Sequence, residues 1–357
     1  MIYIHVPFCH CKCTYCAFFS KVESGNWKVE SYVDALLEEM EERKDEQAHP
    51  IRTVYFGGGT PSILPVNELS RIVEGLHRCF DLSQVEEMTL EANPEDLTPH
   101  YLADLRRLGF NRLSIGVQSL DDNVLRRLNR RHSAAQALAA VENAHKAGFD
   151  NISVDFIYGI VPMISIESIA PVDSIVSIIS HVSLYALTVE PGTALAVQVE
   201  QERVVLPDED EVVRQYHALH RQFTEAGFRQ YEVSNYARLG YESKHNSRYW
   251  NRTPYLGLGP GAHSFDGCHR KWNNPDGTVG EETLTETDAF NELLMTSLRT
   301  VRGLQVDMVP IPYIKELHRK MQPYIDCGWI VLRDNAYVPT EEGLLHADGM
   351  AAALFTQ

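Results

Sequence analysis

The sequence predicts an α/β protein: a wound parallel barrel of alternating strands and helices, followed by a small, mostly helical C-terminal domain. Three observations predict it. A helix-end-to-strand module recurs as Leu108-Gly109-Phe110-Asn111, Ala147-Gly148-Phe149-Asp150 and Ala226-Gly227-Phe228-Arg229, with its glycines 39 and 79 residues apart. Short strand-like runs alternate with segments whose apolar residues recur at helical spacing. Past about Leu284 the strand runs give way to helical periodicity.

The elements follow in order. Ile2 to Val6 reads as a short strand that ends at Pro7 and delivers a cysteine-rich loop from its C-terminal end. Val33, Leu36, Leu37 and Met40 line one face of a helix, with an acidic run beside them as its solvated face. Thr53 to Phe56 is the second strand, running into Gly57-Gly58-Gly59-Thr60, and a helix carrying Leu69, Ile72, Val73, Leu76 and Phe80 follows. Met88 to Ala92 is the third strand. Thr98 before Pro99 reads as an N-cap and first helical residue. Arg112 to Gly116 and Asn151 to Ile157 are the next strands, separated by a helix capped by Ser133.

In each repeated module the glycine suits a left-handed helix end, and the phenylalanine packs under the sheet. Residues 161–180 carry no Lys or Arg and are interrupted by Pro162 and Pro171, so a buried helix from about Val172 to Ile179 is expected there. Val182 to Thr188 resumes the pattern, and Gln230 to Asn235 is the last barrel strand. The expected division is a barrel over 1–240, a connecting segment over 241–283 and a C-terminal domain over 284–357. In that last part, two helices and a hairpin around Gly328–Val338 resemble a winged-helix appendage.

The composition is that of an ordinary soluble chain, 44% hydrophobic and 23% charged. A formal net charge of −17 argues against nucleic acid as a main partner, although Arg126, Arg127, Arg130 and Arg131 form a local basic cluster. No run reaches the roughly 18 apolar residues a membrane span needs, and the N-terminus lacks signal-peptide features. Thiolate cysteines imply a reducing interior, so a cytoplasmic protein is expected.

Four of the seven cysteines fall between Cys9 and Cys16, and Cys9, Cys13 and Cys16 are spaced C-x3-C-x2-C. That density suggests a soft-metal site, with iron–sulfur ligation ahead of a zinc knot or a disulfide cluster. Three ligands to a cubane leave one iron open to a chelating small molecule. Alternation along the loop points Cys11 away. The glycine run one unit later lets backbone groups approach a ligand without Cβ interference.

The C-x3-C-x2-C loop after a short leading strand resembles the radical S-adenosylmethionine (SAM) proteins. Further motifs, Glu-Ala-Asn-Pro, Ile-Gly-Val-Gln-Ser, Asn-Arg-Arg-His, Asp-Phe-Ile-Tyr-Gly and Gly-Pro-Gly-Ala-His-Ser, extend the likeness to the coproporphyrinogen-oxidase-like branch over nearly the whole chain. This resemblance implies a partial (β/α)6-type parallel radical SAM barrel. It implies a [4Fe-4S] cluster on Cys9, Cys13 and Cys16, and SAM bound among Tyr3, Phe18, Gly58, Gly59, Thr60, Glu91, Gln118, Arg130 and Asp155. Arg130 would take the SAM carboxylate, Asp155 and Gln118 the ribose region, and Tyr3 a place beside the cluster.

Two activities are open to such a chain. One is radical oxidative decarboxylation of porphyrinogen propionates; the other is carriage of heme to acceptor proteins, with an electron donor serving the cluster. Oxidases of this branch carry a fourth cysteine two places after the third, where this chain has Phe18, and an N-terminal extension before the cysteine loop that is expected to be missing here. Lys244 to Trp250 matches the H-N-x-x-Y-W motif of the heme-carrying members, which makes His245, Tyr249 and Trp250 the heme candidates and assigns no catalytic residue. Imidazole is a heme-iron ligand, and two aromatic rings offer flat apolar surface. His263 and Cys268 are weaker candidates.

Overall fold

The structure, a computed structural model, describes residues 1–22, 28–47, 50–160 and 173–356. Strands β1 (Ile2–Val6), β2 (Thr53–Gly58), β3 (Glu87–Ala92), β4 (Arg112–Gln118), β5 (Asn151–Tyr158) and β6 (His181–Ala186) lie side by side in chain order, all parallel. Leu256–Leu258 adds in parallel outside β1; Asn235–Ala237 adds antiparallel outside β6, and Arg229–Gln230 pairs antiparallel with Asn235–Ala237 in turn. The sheet has two free edges, so the barrel is partial and open.

Side chains alternate across a strand, and here the alternation sorts by chemistry. Ile2, Ile4, Val54, Phe56, Leu90 and Leu113 face outward into the main hydrophobic core, under helices such as Val29–Arg43 and Val66–Cys79. The positions between them are polar and point inward: Tyr3, Tyr55, Glu91, Arg112, Ser114 and Asp155 share that face by their period-two spacing.

The three repeated glycines sit at helix ends with φ of 93°, 88° and 89°. The phenylalanines after them, Phe110, Phe149 and Phe228, are buried in the main core. Truncating one of these rings to alanine should cost about 3–5 kcal/mol. Ser133 forms a capping box with Gln136, and Thr98 caps Pro99–Arg107.

The sequence expectation differs from the structure at the sheet edge. Residues 230–235 are not one strand: Tyr231 N donates to Asn235 O at 3.1 Å, closing a turn between two short antiparallel strands. Residues 161–172 lie outside the described residues. The helix expected from Val172 is described only as Asp173–Val176, with Ile175 and Ile179 buried in the main core.

Residues 263–283 form a three-stranded antiparallel meander, His263–Phe265, His269–Asn273 and Val279–Thr283, which the sequence did not suggest. A second hydrophobic core begins at Phe290 and joins the helices Glu286–Leu298, Ile311–Asp326 and Ala347–Leu354 to the sheet of Leu304–Gln305, Ala336–Pro339 and Ile330–Arg333. Asp334 and Asn335, with φ of 50° and 60°, make the hairpin turn.

Candidate functional site

A cavity of about 600 Å³ opens at the C-terminal ends of the parallel strands, a size ordinary for a small-molecule site. Cys9, Cys13 and Cys16 all line it. The cysteine loop is held against the segment after β4: Thr14 N donates to Leu128 O at 3.2 Å, and Asn129 Nδ2 donates to Lys12 O at 2.9 Å. The Tyr15 ring packs with Val124, Leu128, Ile157 and Ile160, a small apolar cluster beside the main core. The Cys9 sulfur accepts from Thr60 Oγ1 at 3.4 Å, and the Cys13 sulfur accepts from Arg130 Nη1 at 3.5 Å. Cys11 also lines the cavity, but its thiol is turned to the Asn129 carbonyl at 3.6 Å.

The glycine run forms one wall. Gly59 N donates to Val6 O at 2.8 Å, and a Cβ there would come within 2.5 Å of Phe8 O, so only glycine lets the run lie against the cysteine loop. Gly58 N donates to Glu91 Oε2 at 3.2 Å, and Tyr55 donates its hydroxyl to Glu91 Oε1 at 2.7 Å. Burial first, and the Asp155 charge after it, push the Glu91 carboxyl up to about 7, against those two bonds. Asp155 is raised by burial as well, while Ser114 and other hydroxyls oppose the shift.

Arg130 reaches in from the opposite side. Its Nη2 donates to Asn93 Oδ1 at 2.6 Å and Gly116 O at 2.8 Å, while its buried Nε has no partner among the described residues. Phe18, Gly58, Thr60 and Gln118 also line the cavity, and Gln118 has a left-handed backbone with φ of 64°.

The site therefore offers three cysteine sulfurs to a soft metal, two buried carboxyls to a cation and one buried guanidinium to an anion. A ligand with an ammonium or sulfonium at one place and a carboxylate at another matches that pattern.

Not every expected residue is here. Tyr3 does not line the cavity; it lies one inward-facing position deeper than His5, bonded to His5 Nδ1 at 3.3 Å and stacked beside Tyr55. His245, Tyr249 and Trp250 are also outside it. The His245 ring is 1% exposed, with Nδ1 on Thr53 Oγ1 at 2.9 Å and Nε2 on the Tyr249 hydroxyl at 3.2 Å. Thr53 opens β2 and Gly58 closes it at the cavity, and Tyr55 stands between: its ring centroid is 5.0 Å from that of His245, and its hydroxyl reaches Glu91 of the cavity lining at 2.7 Å. Trp250 is covered by the Arg299 guanidinium, 5.3 Å from its ring.

Asn93, which orients Arg130, and Tyr185, which lines the cavity and is 43% exposed, were missed as site residues. Asn93 lies inside the quoted Glu-Ala-Asn-Pro motif; no local signal marked Tyr185.

Residues 3–165 match the family model described as the radical SAM superfamily, which brings a [4Fe-4S] cluster and SAM to this class of protein. The heme chaperone HemW of Mycobacterium tuberculosis is 38% identical over 276 residues, covering 76% of this chain and 71% of its own. Its counterpart in Lactococcus lactis is 33% identical over 318 residues, covering 85% and 83%. The chain belongs to the HemW family of radical SAM proteins. Coproporphyrinogen III oxidase (HemN) from Escherichia coli has the same fold, with a TM-score of 0.84 over 99% of this chain and 89% of that one, at 23% identity. Among the described residues no helix is long and apolar enough to cross a membrane.

Proposed function

We propose that this chain is a heme carrier of the cell interior that hands heme to acceptor proteins, with a cluster and SAM resident at the barrel mouth and reduced by an electron-donor protein. Cys9, Cys13 and Cys16 would hold the cluster. Glu91 and the glycine run from Gly58 would receive the SAM amino group, the Nε of Arg130, without a partner among the described residues, would receive its carboxylate, and Asp155 and Gln118 would receive the ribose. When bound, the cluster supplies one-electron chemistry and an open iron position for SAM. Thr60 and Arg130 donate toward two of the thiolates, which tempers their charge, and Arg130 is itself held by Asn93.

The observation that carries the carrier reading over the oxidase one is Phe18. Two places after Cys16, where the resembling oxidases have a fourth cysteine, a 70% exposed apolar ring stands at the cavity mouth. The names of the relatives reported above support the same reading. His245 remains the axial-ligand proposal on its motif. Ligation through Nε2 would require that nitrogen to give up its bond to the Tyr249 hydroxyl.

The test is anaerobic reconstitution followed by heme titration, then incubation with SAM, reductant and coproporphyrinogen. Stoichiometric heme uptake without vinyl formation is expected. Vinyl product would overturn the reading in favour of the oxidase.

A further inference from the structure

We propose that the turn joining the first two strands of the meander is a divalent-metal site, with Cys268 Sγ, His269 Nδ1 and the Asp266 carboxylate as three ligands and the fourth position open to solvent. None of the three lines the cavity, and all are exposed.

The turn is shaped by the sequence Asp266-Gly267-Cys268-His269. Gly267 takes a φ of 116°, which side-chain-bearing residues rarely adopt. Asp266 Oδ1 accepts the backbone N–H groups of Cys268 at 3.0 Å and His269 at 2.7 Å, which holds the carboxylate in place. Its Oδ2 then faces His269 Nδ1 at 3.0 Å. The Cys268 sulfur lies 3.2 Å from the same nitrogen and 3.5 Å from Asp266 Oδ1.

Two of those separations lie near what zinc requires. With Zn–S near 2.3 Å and Zn–N and Zn–O near 2.1 Å, ligand atoms of a tetrahedral site stand about 3.4–3.6 Å apart. The sulfur–nitrogen side at 3.2 Å and the Nδ1–Oδ2 side at 3.0 Å are each shorter than that by roughly 0.4 Å, and the three ligand atoms all lie within 4.8 Å of one another, so binding spreads the groups slightly. Thiolate plus carboxylate places two negative charges against a dication, and a mixed sulfur, nitrogen and oxygen set suits Zn²⁺ better than a hard cation. Arg270, the nearest cation in sequence, is paired with Glu282 and Glu292.

The test uses the full chain with its cluster reconstituted, so that Cys9, Cys13 and Cys16 are occupied, and Zn²⁺ alone as probe. Competition against a zinc chromophore should show one Zn²⁺ per chain, and zinc-edge X-ray absorption should show one sulfur among its neighbours. Cys268→Ser and His269→Gln are each expected to weaken binding at least tenfold. Asp266→Asn keeps the acceptor for the two backbone N–H groups and should weaken it less, with unchanged circular dichroism and cluster content. Equal zinc affinity in the Cys268→Ser, His269→Gln double variant, or no uptake at micromolar zinc, would overturn the assignment and leave the turn as a structural one.

Discussion

Arg130 Nη1 lies 3.5 Å from the sulfur of Cys13, while the Nε of the same side chain is buried without a partner among the described residues. One residue thus faces the proposed cluster and keeps a donor for the proposed carboxylate. A buried guanidinium leaves a donor unsatisfied only at a cost of about 1–3 kcal/mol, which a ligand carboxylate would recover. Arg130→Lys keeps the charge but loses the planar fork, and is expected to weaken SAM binding about 10- to 100-fold with cluster iron unchanged. Anaerobic calorimetry with an iron assay on the same sample checks it; unchanged SAM affinity would remove Arg130 from the site.

Cys13→Ala should lose the visible absorption and iron content of the reconstituted cluster, while Cys11→Ala keeps both. The difference follows from where the sulfurs point, since the Cys11 thiol is turned to the Asn129 carbonyl. Equal loss in the two variants would mean that the ligand set is misassigned.

Glu91 makes the apo protein sensitive to alkali. Its carboxyl is raised from 4.5 to about 7, so between those values the folded chain keeps a proton that the unfolded chain has lost. Stability then falls as pH rises through that window. Glu91→Gln should be more stable than the parent by on the order of 3 kcal/mol near pH 8 and equal to it near pH 4. Urea melts at the two pH values measure this. The same variant should bind SAM more weakly at the higher pH, where the parent carboxylate is ionised; a parent and variant that melt alike throughout would refute the claim.

His245 acts in the opposite direction. Burial, reinforced by the positive N-terminus, pushes its imidazole down from 6.5 to about 3. Below 6.5 the unfolded chain takes up a proton that the folded one excludes, so stability falls as pH drops from about 6.5 toward 3. His245→Gln should flatten that acid limb while costing about 1–2 kcal/mol at neutral pH for the lost bond to Thr53. Heme titration of the variant should be weakened with cluster content intact. Unchanged heme affinity would confine His245 to the frame.

Local spacing made much of this legible. The period-two strands, the helix-end glycines and the cysteine spacing are all properties of residues within a few positions of one another, and β1 to β6 follow them. Gly59 was legible as a ligand-facing glycine, but its clash distance to Phe8 O depends on how two loops meet. The H-N-x-x-Y-W motif was legible as a motif, but nothing in it said which end of the sheet it would reach.

The sequence by itself determined that strands alternate with helices, that three sulfurs emerge together from the first strand, and that glycines open the next loop, because such features depend on backbone geometry over a turn or a strand. Only the tertiary structure decided that Leu256–Leu258 pairs outside β1, that His245 is walled in behind Thr53, and that Arg130 and Asn93 meet across the cavity. Those placements join residues from 37 to more than 250 positions apart. Contacts at that range are chosen by which strands pair and which faces bury, and no local pattern encodes the outcome.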